Sequence, residues 1–145
     1  MSARTASILA FLGLAGCVLW LYWTRSLFGD NPVSIGIQIA AVALMLWARI
    51  TFGRRSFHAA ANPTAGGLVT RGPYRWLRHP IYASILYFVW AGVASHFSAM
   101  SAAAGVAATV MVAVRIGSEE TLLARQFPEW RDYARRTRRL VPFVF

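Results

Sequence analysis

Three long stretches of this chain contain no charged residue, and they limit the folds that the chain can adopt. They cover residues 5–24, 31–48 and 80–114. Each of the first two matches the ~20 apolar residues that cross a bilayer as one helix. The third, as a single helix, would reach roughly 50 Å, well beyond a hydrocarbon core of ~30 Å. We therefore expect it to form two helices joined by a turn near residues 95–98.

The predicted fold class is all-α: an integral membrane bundle of about four transmembrane helices in a single domain, residues 1–145. Composition agrees, since 57% of the residues are hydrophobic. The loop between the second and third spans carries Asn-Pro, Gly-Gly and Gly-Pro turn signals. The last helix should continue beyond the membrane, followed by a C-terminal tail of aromatics and arginines at the interface. The predicted spans cover residues 6–28, 32–52, 80–96 and 98–116.

The charge is strongly positive, and its distribution indicates a membrane topology rather than nucleic-acid binding. All fifteen basic residues are arginines, against five acids, for a net charge of +10. They cluster between the second and third spans and after the fourth, which by the positive-inside rule places both termini in the cytoplasm. Most of these arginines are expected to contact membrane lipid headgroups. The all-arginine composition points to a bacterial host and hence to the inner membrane.

Two polar clusters could carry chemistry, at residues 68–82 and 115–120. If the last two spans form a hairpin, both clusters meet at its cytoplasmic end. Arg115 and Glu119 are four residues apart and share a helical face, which by itself predicts only a stabilising ion pair. Arg115 also ends a charge-free span, where an arginine either snorkels to the interface or has a function.

Other polar residues have both structural and functional interpretations. Glu119 and Glu120 could neutralise nearby arginines or accept hydrogen bonds from a ligand. His79 could cap a helix or belong to a site. Gln38 is expected to form an interhelical hydrogen bond. No metal site is expected because the histidines have no ligand spacing, and the single cysteine, Cys17, excludes an internal disulfide.

The motifs in the second half of the chain resemble a known family. Residues 72–82 read Gly-Pro-Tyr-Arg-Trp-Leu-Arg-His-Pro-Ile-Tyr, followed by Arg-x-x-x-Glu-Glu at 115–120 and Phe-x-x-Trp-x-x-Tyr at 127–133. In this order and spacing they are similar to the isoprenylcysteine carboxyl methyltransferase family and its bacterial phospholipid-methyltransferase-like relatives. The predicted catalytic half is 66–142. Members are membrane-embedded enzymes that use S-adenosylmethionine, so the resemblance implies that cofactor and a lipophilic small-molecule or lipid acceptor.

The resemblance also implies roles for individual residues. Arg115 would be the catalytic residue that faces the methyl acceptor. The loop before the third span would approach the cofactor through its backbone, although Gly66 and Gly67 offer no polar side chain there. The implied cofactor-binding residues are Gly66, Gly67, Leu68, Val69, Tyr74, His79, Pro80, Ile81, Tyr82, Glu119 and Glu120.

Two other functions compete with methyl transfer. A membrane reductase of the sterol-reductase type carries a related Arg-His-Pro-x-Tyr segment but uses NADPH. Its relatives usually continue with Asn-Tyr, whereas Ala83 and Ser84 follow here, which disfavours it. A non-catalytic membrane scaffold would keep the fold, and the intact polar residues of both clusters argue against that.

Overall fold

The computed structural model describes residues 3–53 and 67–141, and these residues form helices joined by short connections. The described part contains no strand, apart from an isolated bridge between Leu77 and Arg138. The predicted all-α class is therefore confirmed. The helices are α1 (Ala3–Trp23), α2 (Pro32–Phe52), α3 (Pro80–Ser95), α4 (Ala99–Gln126) and α5 (Trp130–Arg136), with a 3-10 helix at Gly72–Arg75.

Three of these helices are long and apolar enough to cross a membrane: α1, α2 and α4. The helix α3 is also apolar but has 16 residues, which extend ~24 Å at 1.5 Å per residue. That length falls short of a hydrocarbon core of ~30 Å. Three candidate spans are thus supported, and the fourth, through α3, stays a prediction.

The first helix ends earlier than predicted. We expected it to reach residue 28, but α1 ends at Trp23. Arg25 adopts a left-handed conformation with φ 56°. Its N–H donates to the Tyr22 carbonyl at 3.0 Å, and the Ser26 N–H donates to the Leu21 carbonyl at 2.8 Å. This Schellman pattern satisfies the last carbonyls and ends the helix.

The predicted starts of α2 and α3 are confirmed, and that of α4 is confirmed to within one residue, whereas α1 begins at Ala3, three residues earlier than predicted. Pro80 occupies the first turn of α3, where its missing N–H costs no hydrogen bond. The Asn31 side chain accepts a 3.0 Å hydrogen bond from the Ser34 N–H at the start of α2. Ser98 and Ser101 form a reciprocal capping box at the start of α4. The turn expected near residues 95–98 therefore lies between α3 and α4.

The membrane helices pack in the order α1, α4, α3, α2, so that the first two helices flank the α3–α4 hairpin. The predicted interhelical bond of Gln38 is confirmed, since its Nε2 donates to the Phe88 carbonyl at 3.1 Å and the Leu27 carbonyl at 2.8 Å. A Cβ on Gly92 would meet the Leu27 carbonyl oxygen at 2.1 Å. The α1–α2 connection can therefore cross closely over the C-terminal end of α3.

Candidate functional site

The segment that enters α3 is fixed against the end of α2. Gly72 has φ 58°, and a Cβ there would meet the Thr51 Oγ1 at 2.6 Å. Glycine therefore allows both the left-handed backbone and the close approach. The 3-10 helix that follows buries Tyr74, whose ring lies 5.5 Å from the Phe52 ring. This anchoring sets the position of His79 just before α3.

The C-terminal segment returns to the same place. The Arg138 N–H donates to the Trp76 carbonyl at 2.9 Å, and the His79 N–H donates to the Arg139 carbonyl at 3.2 Å. Further along, the Tyr87 hydroxyl donates to the Leu140 carbonyl at 2.5 Å. Residues 138–140 therefore lie alongside the segment that leads into α3.

The helix α5 is hydrogen-bonded to the 3-10 helix. The Tyr133 hydroxyl donates to the Tyr74 carbonyl at 2.8 Å. Burial raises the pKa of the Tyr74 hydroxyl and that of Tyr133 well above their usual range. Both hydroxyls therefore stay protonated at neutral pH and can act as hydrogen-bond donors.

Glu120 is the centre of a network of arginine and histidine side chains. It accepts hydrogen bonds from Arg78 Nε at 3.1 Å and from Arg139 Nη2 at 2.8 Å. His79 Nε2 lies 3.3 Å from the same carboxylate. The hydrogen bonds to Glu120 raise the pKa of Arg139. Glu120 therefore ties α4 to the segment before α3 and to the C-terminal segment.

Arg78 extends this network to the end of α5. Its Nη1 donates to the Thr137 carbonyl at 2.9 Å and also to the Ala134 carbonyl. An arginine can bind a carboxylate and two carbonyls together because its donors form a rigid fork. The sequence motifs gave neither Arg78 nor Arg139 a role in the site. Their positions depend on the return of the tail, for which the sequence carries no local signal.

Glu119 has a different set of neighbours. The Tyr82 hydroxyl donates to its Oε1, while Arg115 Nη2 lies 3.8 Å from Oε1 and His79 Nδ1 lies 3.7 Å from Oε2. The Glu119 side chain is 26% exposed, against 15% for Glu120. Glu119 is thus the more accessible of the two carboxylates, and it is oriented by a tyrosine.

Arg115 is buried and turned into the bundle. It is 4% exposed. Its Nε donates to the Tyr82 hydroxyl at 2.9 Å, and its Nη1 donates to the Ser7 carbonyl on α1 at 2.9 Å. Its guanidinium carbon lies 5.3 Å from the centre of the Phe11 ring. The Arg115 guanidinium is thus enclosed by side chains and backbone of α1, α3 and α4.

The structure brings together five of the predicted site residues at one end of the α3–α4 hairpin: His79, Tyr82, Arg115, Glu119 and Glu120. His79 precedes α3, but its ring makes no capping hydrogen bond and lies between the two glutamates instead. The prediction that the two polar clusters meet at one end of the α3–α4 hairpin is therefore confirmed.

The remaining predicted residues are less closely associated with this cluster. Pro80 is buried and begins α3, and Ile81 is half-buried one position later. Leu68 and Val69 are half-buried in the connection before the 3-10 helix, and Gly67 is exposed with φ 79°. Gly66 lies outside the described residues. No group of three or more His, Cys, Asp or Glu side chains within 3–53 and 67–141 is placed to hold a metal ion.

Comparison with known proteins gives one family and two curated relatives. The sequence model of the isoprenylcysteine carboxyl methyltransferase family matches residues 34–125. The nickel-cobalt-cadmium resistance protein NccN of Alcaligenes xylosoxydans xylosoxydans is 35% identical over 109 residues, which cover 74% of this chain and 47% of that protein. The cobalt-zinc-cadmium resistance protein CzcN of Cupriavidus metallidurans is 34% identical over 109 residues, which cover 74% of this chain and 46% of that protein. The chain thus spans about half the length of the curated relatives it matches. No solved structure matches it significantly.

Proposed function

This chain belongs to the isoprenylcysteine carboxyl methyltransferase family, and we propose that it transfers a methyl group from S-adenosylmethionine to a lipophilic acceptor. The acceptor class includes an isoprenylcysteine-like carboxylate and a phospholipid amine. The reaction takes place at the cytoplasmic boundary of the bacterial inner membrane, with both chain termini in the cytoplasm. The observation that supports this most strongly is Glu119, a partly exposed carboxylate held by Tyr82 at the end of α4.

The side chains around Glu119 fit the charge of the cofactor. S-adenosylmethionine carries an ammonium group and a sulfonium, both cationic. A carboxylate binds an ammonium group through charge-assisted hydrogen bonds, and aromatic faces attract cations. The rings of His79 and Tyr82 lie 5.8 Å apart beside this carboxylate. Glu119 would hold the ammonium group, and the two rings would lie close to the sulfonium.

The connection before the 3-10 helix offers complementary donors. Among the described residues, nothing accepts a hydrogen bond from the backbone N–H groups of Leu68, Val69 and Thr70. A Cβ built on Gly67 meets no atom within 4 Å. Such open backbone donors suit the cofactor's carboxylate or its ribose hydroxyls.

Glu120 takes a supporting role in this proposal. Its oxygens already accept hydrogen bonds from Arg78 and Arg139. Through His79 it holds one wall of the cofactor site. We therefore assign cofactor contact to Glu119 and positioning to Glu120.

When bound, the cofactor supplies the methyl group from its sulfonium sulfur. The protein's task is then alignment and exclusion of water, and alignment can contribute on the order of 7–11 kcal/mol. Arg115 is one turn deeper than Glu119, where the polar end of an apolar acceptor would meet it. Its fork geometry suits a carboxylate or phosphate oxygen.

The test is cofactor binding by purified protein in detergent or nanodiscs. Titration calorimetry should detect S-adenosylmethionine binding to the wild type and no binding of NADPH. Binding of NADPH alone would favour the reductase, and binding of neither ligand would favour a scaffold. Arg135→Lys is a suitable control variant, because the Arg135 side chain is exposed on α5.

The names of the two curated relatives suggest a physiological setting. One is named a nickel-cobalt-cadmium resistance protein and the other a cobalt-zinc-cadmium resistance protein. Methyl transfer by this chain would then support metal tolerance by changing a membrane component. A strain that lacks the gene should lose growth on cobalt or cadmium, and the wild-type gene should restore it. If Glu119→Gln restored growth equally well, the contribution to tolerance would not depend on methyl transfer.

A further inference from the structure

Ser7 on α1 has an unusual environment for a polar side chain. It is 0% exposed, and its Oγ is a buried side-chain atom without a hydrogen-bond partner in the described residues. A buried hydroxyl that makes no hydrogen bond destabilises the folded state. Such a group is expected to have a partner in some functional state.

The surroundings of Ser7 indicate what that partner is. The Ser7 carbonyl accepts a 2.9 Å hydrogen bond from Arg115 Nη1, and the hydroxyl is only a few covalent bonds from that oxygen. A guanidinium and an unpaired hydroxyl thus lie close together in a buried position. Both can donate to an anionic oxygen.

Phe11 covers this place on an exposed face of α1. It follows Ser7 by one helical turn, and its ring lies 5.3 Å from the Arg115 guanidinium carbon. The ring is 41% exposed although Arg115 beneath it is 4% exposed. Rotation of one exposed side chain would therefore uncover the guanidinium to a molecule arriving from the bilayer.

We propose that Ser7 and Arg115 together bind the anionic head of the lipophilic acceptor, with the Ser7 hydroxyl as the second donor and Phe11 as the cover. This inference rests on the proposed methyl transfer and deepens it. It adds a residue of α1, which lies before residues 34–125 where the family match is found. The head is a carboxylate or a phosphate, since both present oxygen acceptors.

The experiment measures lipid binding in the absence of cofactor, so that it does not depend on turnover. Three farnesyl probes are used: S-farnesylcysteine with a blocked amine, its uncharged methyl ester, and farnesyl phosphate. Ser7→Ala should weaken binding of one or both anionic probes about tenfold, the effect of one hydrogen bond to a charged group, and leave the ester unchanged. The anionic probe that is affected identifies the head.

The melting temperature of Ser7→Ala gives a second readout. If the Ser7 hydroxyl stabilised the fold through a hydrogen bond, its removal would lower this temperature. Because Ser7→Ala removes a buried hydroxyl without a partner, the melting temperature should rise by about 2–4 °C. Ser7→Thr keeps the hydroxyl and should retain anionic-probe affinity. Ser34→Ala is the matched control, a buried serine at the outer end of α2, and should leave probe affinity unchanged.

Several outcomes would overturn the proposal. In the first, Ser7→Ala binds the anionic probes as tightly as the wild type does. In the second, Ser7→Ala loses affinity for the methyl ester as well as for the anionic probes. In the third, the wild type binds neither anionic probe. If Ser7→Ala does not fold, reduced affinity in Ser7→Thr would also contradict it. Failure of S-adenosylmethionine to bind the wild type would instead remove the proposed function, so the two failures are distinguishable.

Discussion

Glu119 and Glu120 are adjacent in the chain, yet their carboxylates have different partners. Glu120 accepts hydrogen bonds from two arginines, Arg78 and Arg139, whereas Glu119 accepts from the Tyr82 hydroxyl. His79 lies between them, with one ring nitrogen toward each carboxylate. One glutamate therefore belongs to the framework, and the other is available to a ligand.

The Glu119→Gln variant should weaken S-adenosylmethionine binding and leave the fold intact. The amide keeps the shape of the side chain but loses the negative charge that would pair with the cofactor's ammonium group. A hydrogen bond to a charged group contributes ~1.5–3 kcal/mol, and we expect the binding free energy to weaken by about that amount. Calorimetry should give a dissociation constant raised by roughly 10- to 100-fold. An unchanged constant, with the melting temperature also unchanged, would remove Glu119 from the cofactor site.

The Glu120→Gln variant, unlike Glu119→Gln, should lower the stability of the fold. Its carboxylate joins α4 to the C-terminal segment, and removing one partner of a buried ion pair lowers the stability of the fold by ~3–5 kcal/mol. Because the Arg139 side chain is 43% exposed, we expect roughly half of that loss. Thermal unfolding in detergent should show a lower melting temperature, and limited proteolysis should cut sooner near residues 138–140. A variant as stable as the wild type would contradict the framework role.

The convergence of these residues could be predicted from the sequence, but their division of roles could not. The charge-free stretch is too long for one helix, so a hairpin had to bring His79 and Glu119 to the same end. Which glutamate binds the arginines depends on backbone hydrogen bonds between residues 76–79 and 138–139. Pairing over such a distance leaves no periodic pattern in the sequence.

The contribution of α1 was also beyond sequence reasoning. In a membrane helix the lipid-facing side is as apolar as the packed side, so hydrophobicity does not indicate which face meets a neighbour. Ser7 and Phe11 were therefore indistinguishable from other positions of the first charge-free stretch. Only the packing of α1 on α4 shows that they contact Arg115.

Tyr82→Phe tests the link between Arg115 and Glu119. The Tyr82 hydroxyl accepts from Arg115 Nε at 2.9 Å and donates to Glu119. Removing this hydroxyl takes one hydrogen-bond partner from the buried Arg115, which should lower the stability of the folded state by ~1–3 kcal/mol. It also leaves the Glu119 carboxylate free to rotate. We expect lower stability together with weaker S-adenosylmethionine binding. Tyr87→Phe on the same helix also loses a hydroxyl bond, to Leu140, and should spare cofactor affinity.

The membrane topology can be tested by labelling introduced cysteines. With Cys17 replaced by alanine, cysteines at Asp30 and Phe97 should react with a membrane-impermeant maleimide added outside the cell, because both residues lie in turns at the predicted outer side. A cysteine at Arg71, exposed in the connection before α3, should react only after the membrane is permeabilised. Labelling of the Arg71 position from outside would reverse the topology and would place the cofactor site on the wrong side for a cytosolic ligand.

Arg115→Lys separates the acceptor from the cofactor. Lysine keeps the positive charge but loses the planar fork that donates to Tyr82 and Ser7 and that would donate to an acceptor oxygen in the proposed reaction. Methyl transfer to lipid extracts should therefore fall by roughly 10- to 100-fold, as expected for the loss of one charge-assisted hydrogen bond. Cofactor affinity should stay within about threefold of the wild type, since Glu119 retains its charge and its bond from Tyr82. The Arg135→Lys control on α5 should change neither quantity. If Arg115→Lys weakened S-adenosylmethionine binding as much as Glu119→Gln does, Arg115 would belong to the cofactor site and not to the acceptor site.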